Sequence, residues 1–342
     1  MENLSEELSA ILKKFSREVE PKIIEVLNLG VERKFKRLTE YPILTGGKRI
    51  RPVLAIICCK LLGGKEEDVL YPAAGLEILH NYTLIVDDII DHSTFRRGKE
   101  TCWVKFGKSI AECIGIYYSA AIFQTAQRVK DFRRISAIFA NVIKTIVNGE
   151  IFDILFEQAG REEEPFVIKN RYLEISDRDY VKMVSKKTAS LFRACCEVGG
   201  VCADGSEQEI KALKDYGFNL GIAFQIKDDI LDIFAEEKKF GKKIGKDIIE
   251  RKLGNIVILT ALKELDPVER EEFLKILRKK EIREEDVKAA MRLINKTKTQ
   301  EKAYKMGEKY IKKAKESLEK LPQNKWNKFL EEIADFVIER EK

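Results

Sequence analysis

Asp87-Asp88-Ile89-Ile90-Asp91 closes a long apolar run that begins at Leu76 and includes Ile78, Leu79, Leu84, Ile85 and Val86. An apolar run of this length with helical spacing reads as a buried helix. On a helix Asp87 and Asp91 fall one turn apart on one face. Two carboxylates so close repel one another, and burying them without a partner is costly. Something positive must stand opposite. Arg96 and Arg97 are near in sequence, but a hard divalent cation is the better answer. Mg²⁺ takes oxygen ligands, commonly one or two carboxylates with water and substrate phosphates completing the shell.

The pattern returns at Asp228-Asp229-Ile230-Leu231-Asp232, at the end of a second apolar run, Leu220 to Ile226. Each block is followed by basic residues and a glycine, Arg96-Arg97-Gly98 in one case and Lys238-Lys239-Phe240-Gly241-Lys242 in the other. One such block among 57 acidic residues could be a solvated helix face. Two, each on an apolar helix, argue for a shared chemical purpose.

At 342 residues the chain is long enough for a large core and fits one large helical domain, 1–342. Its net charge of +6 is modest, which argues against a dedicated nucleic-acid binder. The seven cysteines show no metal-ligand spacing, and most sit in apolar surroundings. Reduced, buried thiols in a cytoplasmic protein are the reading. No signal peptide stands at the N-terminus, and no apolar run approaches the length of a membrane span.

Taken in order, residues 4–38 read as one or two amphipathic helices, with Pro21 as a break or a new start. Gly46-Gly47-Lys48-Arg49-Ile50-Arg51-Pro52 combines a flexible glycine pair with three basic residues at the start of a helix, where an anion is favoured. The next helix starts near Tyr71 or Pro72 and carries both histidines' stretch, with His80 two turns before Asp87. Residues 104–158 read as two long helices with a charged break at 130–134, followed by an exposed connection, 158–179. Lys187-Thr188 opens or interrupts an apolar helix, so Lys187 could reach solvent or a phosphate. Residues 207–234 form the helix of the second acidic block, 241–247 a loop, and 255–342 charged helices. No βαβ pattern or strand-like alternation stands out, and the fold class is all-α.

These residues resemble the trans-prenyltransferases, the short-chain isoprenyl diphosphate synthases. The motifs that carry the resemblance run in the family's order from Gly46 to Lys252: GGKRIRP (46–52), DDIIDHSTFRRG (87–98), KTA (187–189), FQIKDDILD (224–232) and GKKIGKD with a following lysine (241–252). The resemblance implies a homodimer of the isoprenoid synthase fold, a single large helical bundle around a deep central cavity with the two acidic motifs facing each other at its mouth.

It also implies a magnesium-dependent transferase that condenses isopentenyl diphosphate with an allylic diphosphate (dimethylallyl, geranyl or farnesyl). Asp87, Asp91 and Asp228 would hold about three Mg²⁺, with Asp88 and Asp232 nearby or water-mediated. Arg96, Lys187, Thr188, Gln225, Lys242 and Lys252 match positions that contact the allylic diphosphate, although any lysine of 242–252 could serve. Lys48, Arg51, His80 and Arg97 match positions that hold isopentenyl diphosphate.

The first acidic motif has no insertion between its aspartates. An aromatic at Tyr82 without one at Thr83 resembles the geranylgeranyl pattern, so the product implied is C20 by way of C15, with C15 as main product the alternative. Helical geometry alone ranks Thr83 above Tyr82 as the residue below the metals. A terpene cyclase of the same fold would lack the GGKRIRP site, and a non-catalytic partner subunit would have decayed acidic motifs.

Overall fold

The computed structural model describes residues 4–235 and 244–341. It is 75% helical. In chain order the helices are α1 Glu6–Leu27, α2 Lys36–Leu44, α3 Ile50–Leu61, α4 Glu66–Ile90, α5 Cys102–Phe106, α6 Lys108–Ala126, α7 Phe132–Leu155, α8 Pro165–Asn170, α9 Asp177–Val184, α10 Ser190–Cys202 and α11 Glu207–Phe234. There follow α12 Lys246–Ile249, α13 Ile256–Glu264, α14 Pro267–Leu277, α15 Glu284–Ile294, α16 Thr299–Leu318 and α17 Lys325–Glu339. The chain divides into two compact units. The first comprises Met1–Ile143, Leu191–Gly217 and Ser317–Glu332, and the second Lys144–Ser190, Phe218–Glu316 and Ile333–Lys342.

In the first unit α4 packs between α1, α3 and α6. Gly75 makes the close approach of α4 and α6 possible, since a Cβ there would lie 2.2 Å from Thr125 Oγ1. The core of this unit includes Phe15, Val19 and Ile23 of α1, Val53 to Cys59 of α3, and Leu76, Ile78 and Leu79 of α4. In the second unit Phe156, Tyr180, Ile222, Ile226, Ile230, Val257 and Phe273 form one apolar cluster.

Several boundaries differ from the sequence reading. Pro21 lies inside α1, which runs through it without a break. Its φ suits a helix, and the buried Val19, Ile23 and Val26 hold the face in place despite the lost hydrogen bond. Helix α4 begins at Glu66, ahead of Pro72, with Asp68 Oδ2 accepting from the Lys65 backbone amide at 3.3 Å. The connection 158–179 contains the short helix α8, which starts on Pro165.

One small sheet is present where none was expected. β1 (Phe95–Arg96) pairs antiparallel with β2 (Lys99–Glu100). It is too short for alternation to show, and its turn is made by Arg97 and Gly98, both in the left-handed region at φ 54° and 74°.

Helix α7 also departs from the expectation that no run reaches membrane length. By length and composition it is long and apolar enough to cross a membrane, the one such helix among the described residues, and it is partly buried in the protein.

Candidate active site

Helix α4 ends at Ile90, and the amide of Asp91 donates to the carbonyl of Asp87 at 2.8 Å. Asp87 and Asp91 are thus one turn apart, both half-buried. Asp88 points elsewhere. It is 5% exposed, and both of its oxygens accept from Arg96, whose Nε lies 2.9 and 3.1 Å and Nη2 2.7 Å away. The β1–β2 hairpin delivers Arg96 to this position. Burial would lower the Arg96 pKa, but Asp88, then Asp87 and Asp91, raise it above its usual value. Asp88, expected near the metals, here orients an arginine beside Asp87 and Asp91.

The glycine pair forms the floor of a cationic cluster. Gly47 has φ +145°, and a Cβ there would lie 2.8 Å from Arg97 Nη1 and 2.9 Å from Arg49 Nη1. Arg97 donates to the Gly46 carbonyl, tying the hairpin turn to the glycine loop. Arg49, which the sequence reading left without a role, is the buried clamp. Its Nη1 bonds Glu77 Oε1 at 2.9 Å and its Nη2 the Ile43 carbonyl at 2.8 Å.

Arg51 Nη1 lies 3.1 Å from His80 Nε2 and its guanidinium stacks on Phe192 at 4.8 Å. A guanidinium only donates, so Nε2 accepts and the imidazole proton sits on Nδ1. Burial, then Arg51, Arg97, Arg96 and Arg49, hold His80 well below its usual pKa, and it is neutral. Lys48 is exposed at the edge of this group. Arg51, Arg97, Arg96 and Arg49 thus all act on His80, and of these Arg97 and Arg49 lie against Gly46–Gly47.

In the second unit each aspartate of the second block does something different. Asp229 is 2% exposed and accepts from Tyr180 Oη at 2.8 Å, Gln225 Nε2 at 2.9 Å and the Ile256 amide at 2.9 Å. Burial and the neighbouring Asp247 push its carboxyl well above the usual range. Thr188 Oγ1 donates to Gln225 Oε1 at 2.7 Å, so the two predicted residues are joined. Asp232 accepts from the amides of Lys246 and Asp247, each at 3.1 Å, and so caps α12. Asp228 has a side chain 39% exposed and accepts from Arg340 Nη2 at 2.6 Å.

Lys187 lies in a single π-helical turn, Ser185–Ala189, inserted between α9 and α10, a device often found at functional sites. Its ammonium lies 2.6 Å from Glu150 Oε2 and 2.7 Å from Asp153 Oδ2. Lys252 Nζ shares that same Asp153 oxygen at 3.0 Å and reaches Glu250 at 3.0 Å. Burial would raise the Asp153 pKa, but Lys187 and Lys252 drive it below its ordinary value.

Of the lysines in 242–252, Lys246 pairs with Glu250 at 2.8 Å and Lys252 joins Lys187. Lys242 lies outside the described residues. Sequence reasoning missed Glu150, Asp153, Asp229 and Arg340. Glu150 and Asp153 carried a usable signal, being two carboxylates three apart on an otherwise apolar helix.

The two residues expected to govern product length are both half-buried on α4. The Tyr82 ring lies over Gly115 of α6, 3.7 Å from where a Cβ would stand. Thr83 turns its hydroxyl back to the His80 carbonyl at 2.8 Å.

A family model described as polyprenyl synthetase matches residues 32–294. The geranylgeranyl diphosphate synthase of Saccharolobus solfataricus is 36% identical over 323 residues, 91% of this chain and 93% of that protein. The crystal structure of geranylgeranyl pyrophosphate synthetase from Pyrococcus horikoshii is 32% identical with a TM-score of 0.87, covering 98% of this chain and 99% of the other. A polyprenyl synthase from Caulobacter crescentus, complexed with calcium and isoprenyl diphosphate, is 29% identical with a TM-score of 0.89, covering 99% of each chain. The chain belongs to the polyprenyl synthetase family, the trans-isoprenyl diphosphate synthases of all-α fold. It is a prenyltransferase enzyme of isoprenoid biosynthesis.

Proposed function

We propose that this enzyme condenses isopentenyl diphosphate with allylic diphosphates to make geranylgeranyl diphosphate, C20, through farnesyl diphosphate. The observation that carries the reading lies in the first unit. A pair of half-buried carboxylates one turn apart, Asp87 and Asp91, stands beside a cluster of Arg51, Arg96, Arg97 and neutral His80. Carboxylates suit a divalent cation, and the arginines suit a diphosphate.

Asp87 and Asp91 in the first unit, and Asp228 in the second, each offer the carboxylate oxygens that Mg²⁺ takes, and the calcium complex of the Caulobacter protein supports a divalent cation. Bound there, the cation would stabilise the negative charge that develops on the departing diphosphate. The family resemblance assigns Arg51, Arg97, His80 and Lys48 to isopentenyl diphosphate, and Arg96, Lys187, Thr188, Gln225, Lys242 and Lys252 to the allylic diphosphate. The C20 product is supported by the Saccharolobus and Pyrococcus relatives and by the Tyr82–Thr83 pair. The family match runs through residues of both units, which supports one synthase domain over 1–342. Seven free cysteines, five of them buried, suit a reducing cytoplasm. A homodimer is the state the family resemblance implies.

The test is chromatography of the product formed from isopentenyl and dimethylallyl diphosphates with Mg²⁺. A dominant C20 peak is expected, and a dominant C15 peak would replace the proposed product. Asp87→Ala should cut turnover on the order of 10³-fold and weaken Mn²⁺ binding while the chain still folds. Unchanged Mn²⁺ binding would remove Asp87 from the metal site.

A further inference from the structure

Arg340 follows the last residue of α17, and its guanidinium reaches Asp228 across 112 residues of sequence. It is 8% exposed. Nη2 bonds Asp228 Oδ1 at 2.6 Å and the Phe224 carbonyl at 3.1 Å, Nε faces the Val337 carbonyl at 3.3 Å, and the plane lies over the Phe224 ring at 4.1 Å. Asp229 and Asp232 have their carboxylates taken by Tyr180, Gln225 and backbone amides. Asp228 is therefore the aspartate of the second block that remains open to a cation, and its present cation is an arginine.

We propose that Arg340 is a positioning residue that serves as a built-in counter-ion for Asp228, and that a divalent cation binding Asp228 displaces it. The inference rests on the reading of Asp228 as a metal ligand. A dication on Asp228 would share its carboxylate with the guanidinium, and the two positive charges would repel in this partly buried setting. Without Asp228 the guanidinium keeps only the Phe224 ring and the Phe224 and Val337 carbonyls, so the last turn of α17 is held less firmly. Cation binding and the seating of the chain's C-terminal end are then reciprocally linked.

The test is Mn²⁺ binding, followed by electron paramagnetic resonance, to the full chain and its R340Q, R340K and D228N variants. It is paired with deuterium uptake at the last turn of α17, where the Arg340 amide donates to the Phe336 carbonyl at 3.0 Å. R340Q should tighten the site that D228N removes by roughly three- to tenfold, with R340K in between. Saturating Mn²⁺ should raise uptake at that turn in the unaltered protein and leave it unchanged in D228N. If D228N weakens Mn²⁺ binding but R340Q leaves it unchanged or weaker, or if Mn²⁺ does not alter the uptake, the competition is refuted while the metal reading stands. If D228N binds Mn²⁺ as the unaltered chain does, the metal reading of Asp228 fails and takes the proposal with it.

Discussion

Gly149 passes so close to Lys187 that a Cβ on the glycine would lie 2.3 Å from the lysine's backbone nitrogen and 2.6 Å from its Cα. Helix α7 is thereby wedged against the π-helical turn, and Glu150 and Asp153, on the following turn, reach the Lys187 ammonium. Gly149→Ala should push the turn away. Overpacking of this kind costs about 1–3 kcal/mol. The expected outcome is a lower unfolding midpoint in urea and a raised KM for the allylic substrate. An unchanged KM would mean that the turn does not position Lys187 for binding.

The two cationic groups should separate kinetically. Arg51→Ala removes the His80 contact and a positive charge beside it, and should raise KM for isopentenyl diphosphate on the order of 10- to 100-fold. Lys187→Ala should act chiefly on the allylic substrate. Steady-state kinetics with each substrate varied in turn decides. Both variants perturbing the same substrate would refute the division.

His80 gives the protein a pH dependence with a definite sign. Its folded pKa is depressed by burial and the surrounding arginines, so below about 6.5 the unfolded chain binds a proton that the folded chain does not. Stability should therefore fall as pH drops through 6.5, by at most about 1.4 kcal/mol per pH unit from this group. In His80→Asn, which keeps an acceptor for Arg51, that part of the fall should vanish. Urea unfolding of both proteins from pH 7.5 to 5.5 measures the difference. Parallel curves would show that His80 is not the group responsible.

Product length should respond to the residues before the first acidic motif. The Tyr82 ring covers Gly115, so Tyr82→Ala opens space beside α6 and should lengthen the product beyond C20. Thr83→Phe should shorten it toward C15. Chromatography of the extended products reads both. An unaltered distribution in the two variants would place the limit elsewhere, for instance at Phe152 and Phe156 of the second unit, whose ring centroids are 6.1 Å apart.

What the sequence determined by itself is local. The 3.6-residue repeat places Asp87 over Asp91, and the apolar runs make both acidic blocks helical. Contacts within a few residues follow from backbone geometry alone, so they are legible in the chain. The separate duties of the second block's aspartates were not. Asp228, Asp229 and Asp232 look equivalent in sequence, yet Arg340, Tyr180 with Gln225, and the α12 amides distinguish them. The joining of Lys187 and Lys252 on Asp153 was likewise decided by the tertiary structure. Charge pairing depends on distance in space, and a side chain remote in sequence becomes a partner only once packing brings it within reach.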